Sequence, residues 1–323
     1  NIPMKIPHID YRTHPAYQYT STLRERYEAL RKFMPWFFSA LKQRIRIKPG
    51  ICTDGCDLGR NGAVAYRIPK ETITQLRNYA QPYIDQILEK KKKKAASISK
   101  EKAMGIEEKV MGVPERKSPE FHKAVMNVVE ELRIIPRAEH YRGYPLHLTH
   151  LVVQVGDPED SDWRDHFIDM GIKDPPTAYF HIDGSIGNMK VLIYLTEVNE
   201  ENGPIGYIFG SNHVLGIIEN AIRYGNDKPR LDNCRPEQRK LFAALPRMLQ
   251  KKSEFGNDIQ TGYAELINNE HHFLSAQDGN LFLFDPNGIH RGGMVTSGRR
   301  IILQMNFQPN KRISHVNNYG TMM

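Results

Sequence analysis

Cysteine is scarce in this chain, with three in 323 residues: Cys52, Cys56 and Cys234. So small and odd a number builds no disulfide framework, which excludes a stapled secreted scaffold and fits a reducing, cytoplasmic setting. Cys52 and Cys56 sit in CTDGC without a second cysteine pair or an adjacent histidine, so they do not spell a zinc finger. Long apolar runs are also missing. No stretch approaches the ~20 residues of a membrane span, and the first residues, NIPMKIPHIDYR, lack the apolar core of a signal peptide. Basic residues outnumber acidic ones, 45 to 37, but much of the excess is the run Lys90 to Lys94 beside Glu89. Without interleaved aromatics such a run reads as a solvated helix end or a mobile loop, not a nucleic-acid surface. The expected partner is a small molecule, with neither membrane nor nucleic acid involved.

What remains is an ordinary globular composition, 40% hydrophobic and 25% charged, long enough to bury a large core. Thr20 to Gln43 carries apolar residues at helical spacing around Pro35, giving two short helices or one kinked helix. Lys70 to Lys94 is helical in pattern, and Ser118 to Leu132 opens on Ser-Pro-Glu, a helix start. Residues 1–135 therefore read as a mainly helical part, with Ala95 to Arg116 as a candidate flexible insert. Beyond Arg137 the texture changes to short β-rich runs at 147–155, 177–183, 189–198, 206–210, 280–285 and 300–308. Glycine, proline and asparagine separate them, as in an antiparallel sandwich or barrel, so the chain is a single domain, mainly β with helical additions and a core over 136–312. A charged helical stretch at 214–262 interrupts the strands and is placed to act as a lid.

The chemistry concentrates in HID, His181 to Asp183, and in His290. Side chains two apart on a strand share a face, so His181 and Asp183 can grip one ion. A distant second histidine completes two imidazoles and one carboxylate, the facial set that leaves positions open on a non-haem Fe(II). Around these residues stand NGPIGYIFGSNH (Asn202 to His213), AQDGNLFLFD (Ala276 to Asp285) and GIHRGGMVTSGRRIILQMNF (Gly288 to Phe307).

In that order the segments resemble the phytanoyl-CoA dioxygenase-like family of Fe(II)- and 2-oxoglutarate-dependent oxygenases, over about Leu148 to Phe307. Departures are Phe209 where proline is usual, Asn212 inserted before His213, and Asp278-Gly279-Asn280 where the family has Gly-Asp. The resemblance implies a cupin-like double-stranded β-helix, or jelly-roll, with Fe(II) held by His181, Asp183 and His290, and with 2-oxoglutarate and O2 as co-substrates. It implies an arginine for the distal carboxylate of 2-oxoglutarate, because a planar guanidinium matches a carboxylate with two hydrogen bonds.

Family spacing, seven residues before Phe307, selects Arg300 over its rival Arg299. On a strand, Arg300, Ile302, Gln304 and Asn306 then face one way, with Gln304 and Asn306 beside cofactor or substrate, and Ile301, Leu303 and Met305 face the other. Gln154, Thr149 and Lys190 are further candidates for the co-substrate, and Arg291 reads as a rim residue. His147, His150 and His213 read as structural, and Asn202, Gly203, Pro204 and Gly210 as turn formers. Halogenating relatives replace the carboxylate by a small residue, which Asp183 argues against. The implied activity is hydroxylation of an unactivated C–H bond of a small molecule, with succinate and CO2 as co-products. Desaturation, cyclisation or epimerisation would use the same motifs, and a non-catalytic β-sandwich is the reading from outside enzymology.

Overall fold

The structure, a computed structural model, describes residues 22–46, 57–97, 109–158, 187–212, 244–246 and 270–309. The proposed ligands His181 and Asp183 fall outside these residues, as do His213, the three cysteines and all but 244–246 of the 214–262 segment.

Helix α1, Leu23–Arg46, starts where Thr22 and Glu25 cap each other, the Thr22 hydroxyl accepting from the Glu25 amide and the Glu25 carboxylate accepting from the Thr22 amide. It continues past Pro35 as one helix. After a short helix α2 (Asp57–Asn61) come strand β1 (Ala63–Tyr66) and helix α3 (Lys70–Ser97). Strand β2 (Val110–Gly112) lies inside the stretch expected to be a flexible insert. Its pairing with β3 orders it, a tertiary contact that three residues cannot announce by periodicity. Helix α4, Pro119–Glu131, buries Phe121, Val125, Val128 and Val129 along one stripe. Helix α5, Ile134–Arg142, begins after a left-handed Arg133 (φ 53).

The remaining strands are β3 (His147–Gly156), β4 (Met189–Tyr194), β5 (Ile205–Ile208), β6 (Glu270–Phe273), β7 (Leu281–Phe284), β8 (His290–Gly292) and β9 (Arg300–Gln308). They form a six-stranded sheet in the order β1-β7-β4-β9-β3-β2 and a three-stranded sheet in the order β6-β5-β8, with every pair antiparallel. The chain passes between sheets so that β4 and β7 pair in the large one while β5 and β6, which lie between them in sequence, pair in the small one. With β3 and β9 joined as the outermost nested pair, this is the double-stranded β-helix, mainly β with helical additions. The helical N-terminal part thus also lends two strands, β1 and β2, one at each edge of the large sheet.

Alternation gives the large sheet two unlike faces. Leu151, Val153, Val155, Val191, Ile193, Leu283, Ile301, Leu303 and Met305 join one cluster with Leu76, Ile84 and Ile87 of α3 and Val125 and Val129 of α4. The opposite face sends Leu192, Tyr194, Phe282, Phe284 and Ile302 against Ile205, Tyr207 and Phe273 of the small sheet, forming the jelly-roll interior. Among the described residues, no helix is long and apolar enough to cross a membrane.

Candidate active site

His290 begins β8, opposite Tyr207 on β5. Tyr207 belongs to the interior cluster, so His290 points inward with it. Its ring stacks with Tyr207 at 6.4 Å and meets Phe284 edge-on at 5.3 Å. The Nδ1 atom lies 2.9 Å from the carbonyl oxygen of Gly288. A carbonyl can only accept, so Nδ1 carries the proton, the ring orientation in which a histidine ligates a metal through Nε2.

Several buried groups fix the β7–β8 loop that delivers this ring. The Asp285 carboxylate accepts from Tyr141 Oη (2.8 Å), Arg142 Nη2 (2.6 Å) and the Asn287 amide (2.9 Å). Tyr207 donates from its hydroxyl to the Asp285 carbonyl at 3.0 Å. Ser211 Oγ donates to Ile208 O and accepts from the Ile289 amide at 2.7 Å, tying the residue before His290 to the end of β5. Asn212, one of the departures from the family pattern, is buried and donates to Tyr141 Oη at 2.9 Å, joining the Asp285 network. None of these supporting groups follows from spacing. The sequence signal nearest to them was the turn former Gly210.

Arg300 begins β9, is 5% exposed and pairs across from Gly156. Its guanidinium lies alongside Gly156 and Gly292, at ordinary contact distance (3.8 Å) from where a Cβ on either would stand. Nη1 donates to Gly293 O at 3.3 Å. Tyr194, on the same wall, has its phenol pushed up to about 12 by burial, with the Arg300 charge pulling the other way. Arg299 points outward. Its Nε lies 2.5 Å from Asp157 Oδ1, and Asp157 also pairs with Lys91 at 2.8 Å. Burial pushes the Asp157 carboxyl up, but hydrogen bonds and charge from Lys91 and Arg299 outweigh it and hold it below the usual range. Lys91, 7% exposed, is thus the one member of the basic run shown to be buried rather than solvated.

Arg291 is not on a rim. It is 2% exposed on the outer face of the small sheet, where Nε donates to Glu270 Oε1 at 2.7 Å and Nη2 contacts Glu270 Oε2. His272 adds a 3.1 Å contact to Glu270 and a 2.7 Å contact to Glu200. Strand alternation sends Arg291 away from His290, and the absence of a side chain on Gly206 makes room for the Glu270 carboxylate.

Of the other candidates, Gln154 pairs across from Ile302 and Lys190 from Phe284, so both share the interior-facing side. Thr149 sits at the β-bulge between Leu148 and His150 and donates its hydroxyl to Asn306 O at 3.0 Å, leaving a lone pair for any ligand. His150 is half-buried, with Nδ1 at 3.0 Å from Thr149 Oγ1, and burial lowers its pKa. His147 lies at the start of β3 opposite Gln308. Gly203, at φ 69, packs against Gly293 and Met294, and Asn202 Nδ2 donates to Ser297 O at 2.8 Å, so the Asn-Gly-Pro turn braces the β8–β9 connection. Gly210 has φ 79. Among the described residues no three His, Cys, Asp or Glu side chains cluster as a metal site.

No family model and no curated protein sequence matches the chain. Solved structures do. The α-ketoglutarate-dependent carbocyclase SnoK from nogalamycin biosynthesis is 16% identical, with a TM-score of 0.47 over 81% of this chain and 87% of its own. EctD from S. alaskensis, with 2-oxoglutarate and 5-hydroxyectoine, is 13% identical, with a TM-score of 0.44 over 78% and 73%. HygX from Streptomyces hygroscopicus, with nickel and 2-oxoglutarate, is 12% identical, with a TM-score of 0.41 over 78% and 85%. At these values the function rests on the chain's own residues.

Proposed function

We propose that this chain is an Fe(II)- and 2-oxoglutarate-dependent dioxygenase of the phytanoyl-CoA dioxygenase-like kind, acting on a small molecule. The observation that carries the reading is the pairing of two inward groups on facing walls of one jelly-roll. His290 is oriented by the bond between its Nδ1 and the Gly288 carbonyl, and Arg300 is buried at the start of β9 opposite Gly156. The sequence supplies the rest of the set: His181 and Asp183 complete the metal ligands, and Arg300 takes the distal carboxylate of 2-oxoglutarate. Gln154, Lys190 and the Thr149 lone pair stand as supplementary contacts to the co-substrate.

When bound, iron and 2-oxoglutarate supply oxidation of a C–H bond coupled to decarboxylation to succinate. The protein's own part is positional. The Gly288 carbonyl keeps the His290 ring in one tautomer and orientation, and Phe284 and Tyr207 shield it from water. Asp183 disfavours halogenation, and we take hydroxylation as the outcome. Product analysis separates it from desaturation, cyclisation and epimerisation, which call on the same residues.

The test is anaerobic addition of Fe(II) and 2-oxoglutarate to the full chain, followed by air. A visible charge-transfer band and then succinate are expected, with both lost in Asp183→Ala and His290→Ala. A folded chain that gives neither, or an Asp183→Ala enzyme that keeps full turnover, overturns the reading in favour of a non-catalytic sandwich.

A further inference from the structure

Cross-strand register sorts the inner wall of the large sheet into rows. One row runs Ala63, Phe284, Lys190, Asn306, His150, each residue directly opposite the next. The neighbouring row runs Ala65, Phe282, Leu192, Gln304, Val152. Arg300 with Gly156 lies at the far end of β9. The first row is level with the proposed metal ligand, because its Phe284 ring is the one that meets His290 edge-on at 5.3 Å.

Three consecutive inward positions of β9 end in unmatched polar atoms. Gln304 Nε2, Asn306 Oδ1 and Gln308 Oε1 are buried and have no hydrogen-bond partner among the described residues. Buried polar atoms of folded proteins are nearly always partnered, so three in succession on one face are a feature to explain. Each costs about 1–3 kcal/mol while unmatched. Leucine or valine at these sites would avoid that cost, as Leu303 and Met305 do on the other face.

We infer that Gln304, Asn306 and Gln308, flanked by His150, are the substrate-recognition wall and that the substrate is a ring bearing several hydroxyl groups rather than an apolar chain. The inference rests on the oxygenase reading for the identity of the reaction; its three amides lie along β9 away from Arg300. A hydroxyl both donates and accepts, so it satisfies an amide whichever way the amide is turned. Inward residues on a strand repeat at about 7 Å, a spacing that a polyhydroxylated ring bridges and that one isolated polar group does not. His150, its pKa lowered by burial, gives its Nδ1 proton to Thr149 Oγ1, whose own proton goes to Asn306 O, so the neutral ring adds an acceptor at Nε2.

The experiment pairs saturation-transfer NMR on metal-free full chain with thermal melting. The probes are methyl β-glucopyranoside and myo-inositol, with hexanoate as the apolar contrast. The polyols are expected to bind and hexanoate not. Gln304→Leu and Asn306→Leu are expected to weaken polyol binding about tenfold each, the loss of one hydrogen bond, while melting at or above the wild-type temperature because an unmatched buried group is gone. Gln304→Met keeps the side-chain volume without the amide should the leucines fail to fold. Hexanoate binding in place of the polyols, no polyol signal, or variants that melt lower with polyol binding unchanged would each overturn the inference. A missing charge-transfer band with Fe(II) and 2-oxoglutarate would instead sink the oxygenase reading and leave the polyol result to stand on its own.

Discussion

The two faces of the six-stranded sheet are made from the same strands yet serve opposite ends. The outer face is a continuous apolar surface under α3 and α4, whereas the inner one mixes Arg300, Gln304, Asn306, Lys190 and Gln154 with aromatics. Burial of apolar area on the outer side stabilises the fold, and that surplus lets the inner side keep polar groups that destabilise it. Neighbouring residues of one strand should therefore answer substitution in opposite ways.

The largest effect belongs to the group that joins the two sides. Asp285→Ala is expected to cost about 3–5 kcal/mol, because it leaves the Arg142 guanidinium buried without its carboxylate; urea unfolding measures the loss, and Fe(II) affinity should fall with it. On the outer face, Leu303→Ala is expected to cost about 2–5 kcal/mol by the same assay. A loss no larger than that of Gln304→Leu, its inward neighbour, would break the comparison. On the inner face, Arg300→Ala is expected to leave the melting temperature close to wild type but to weaken 2-oxoglutarate binding by about 1.5–3 kcal/mol, the worth of a charged hydrogen bond, read by titrating the charge-transfer band. Arg299→Ala, whose side chain is 45% exposed, should change stability by no more than about 1 kcal/mol and leave that titration unmoved. The reverse pattern between the two arginines would reverse their roles.

A finer test uses pH. The Glu270 hydrogen bond raises the His272 pKa above its ordinary 6.5, so this contribution is full below 6.5 and is lost as pH rises through the folded value. Burial pushes Glu270 up, but hydrogen bonds from His272 and Arg291 hold it below 4.5, so its contribution is present above 4.5 and is lost as pH falls through the lower folded value. Stability from this network therefore peaks between the two ranges. His272→Gln should flatten the alkaline side alone, seen as equal urea midpoints at about pH 6 and about pH 9.

Much of this was legible in the chain. Strand β9 was read at 300–308 and forms at Arg300–Gln308, since alternation over nine residues is a long signal. The facing of Arg300 away from Leu303 followed from the same period, and the packing clusters divide the strand that way. The short strands β1, β2 and β6 were not read, because three or four residues carry no usable period and exist through their partners. The buried position of Arg291 was missed for a related reason: its partner Glu270 is 21 residues away, and only the register that stacks β5 between β6 and β8 brings them together. Lys91 shows the same limit, since Asp157 lies 66 residues further on.

Asp285 has a consequence for how the molecule comes apart. Its carboxylate holds Tyr141 and Arg142 of α5, while its amide donates to Gly62 O beside β1 and its next neighbours lead to His290. Helix α5, the start of β1 and the loop carrying His290 are thus one cooperative unit, and opening any of them exposes the same charge. Amide hydrogen exchange in α5 should accordingly slow when a metal occupies the far side of that loop, so that residues with no part in the chemistry report its state.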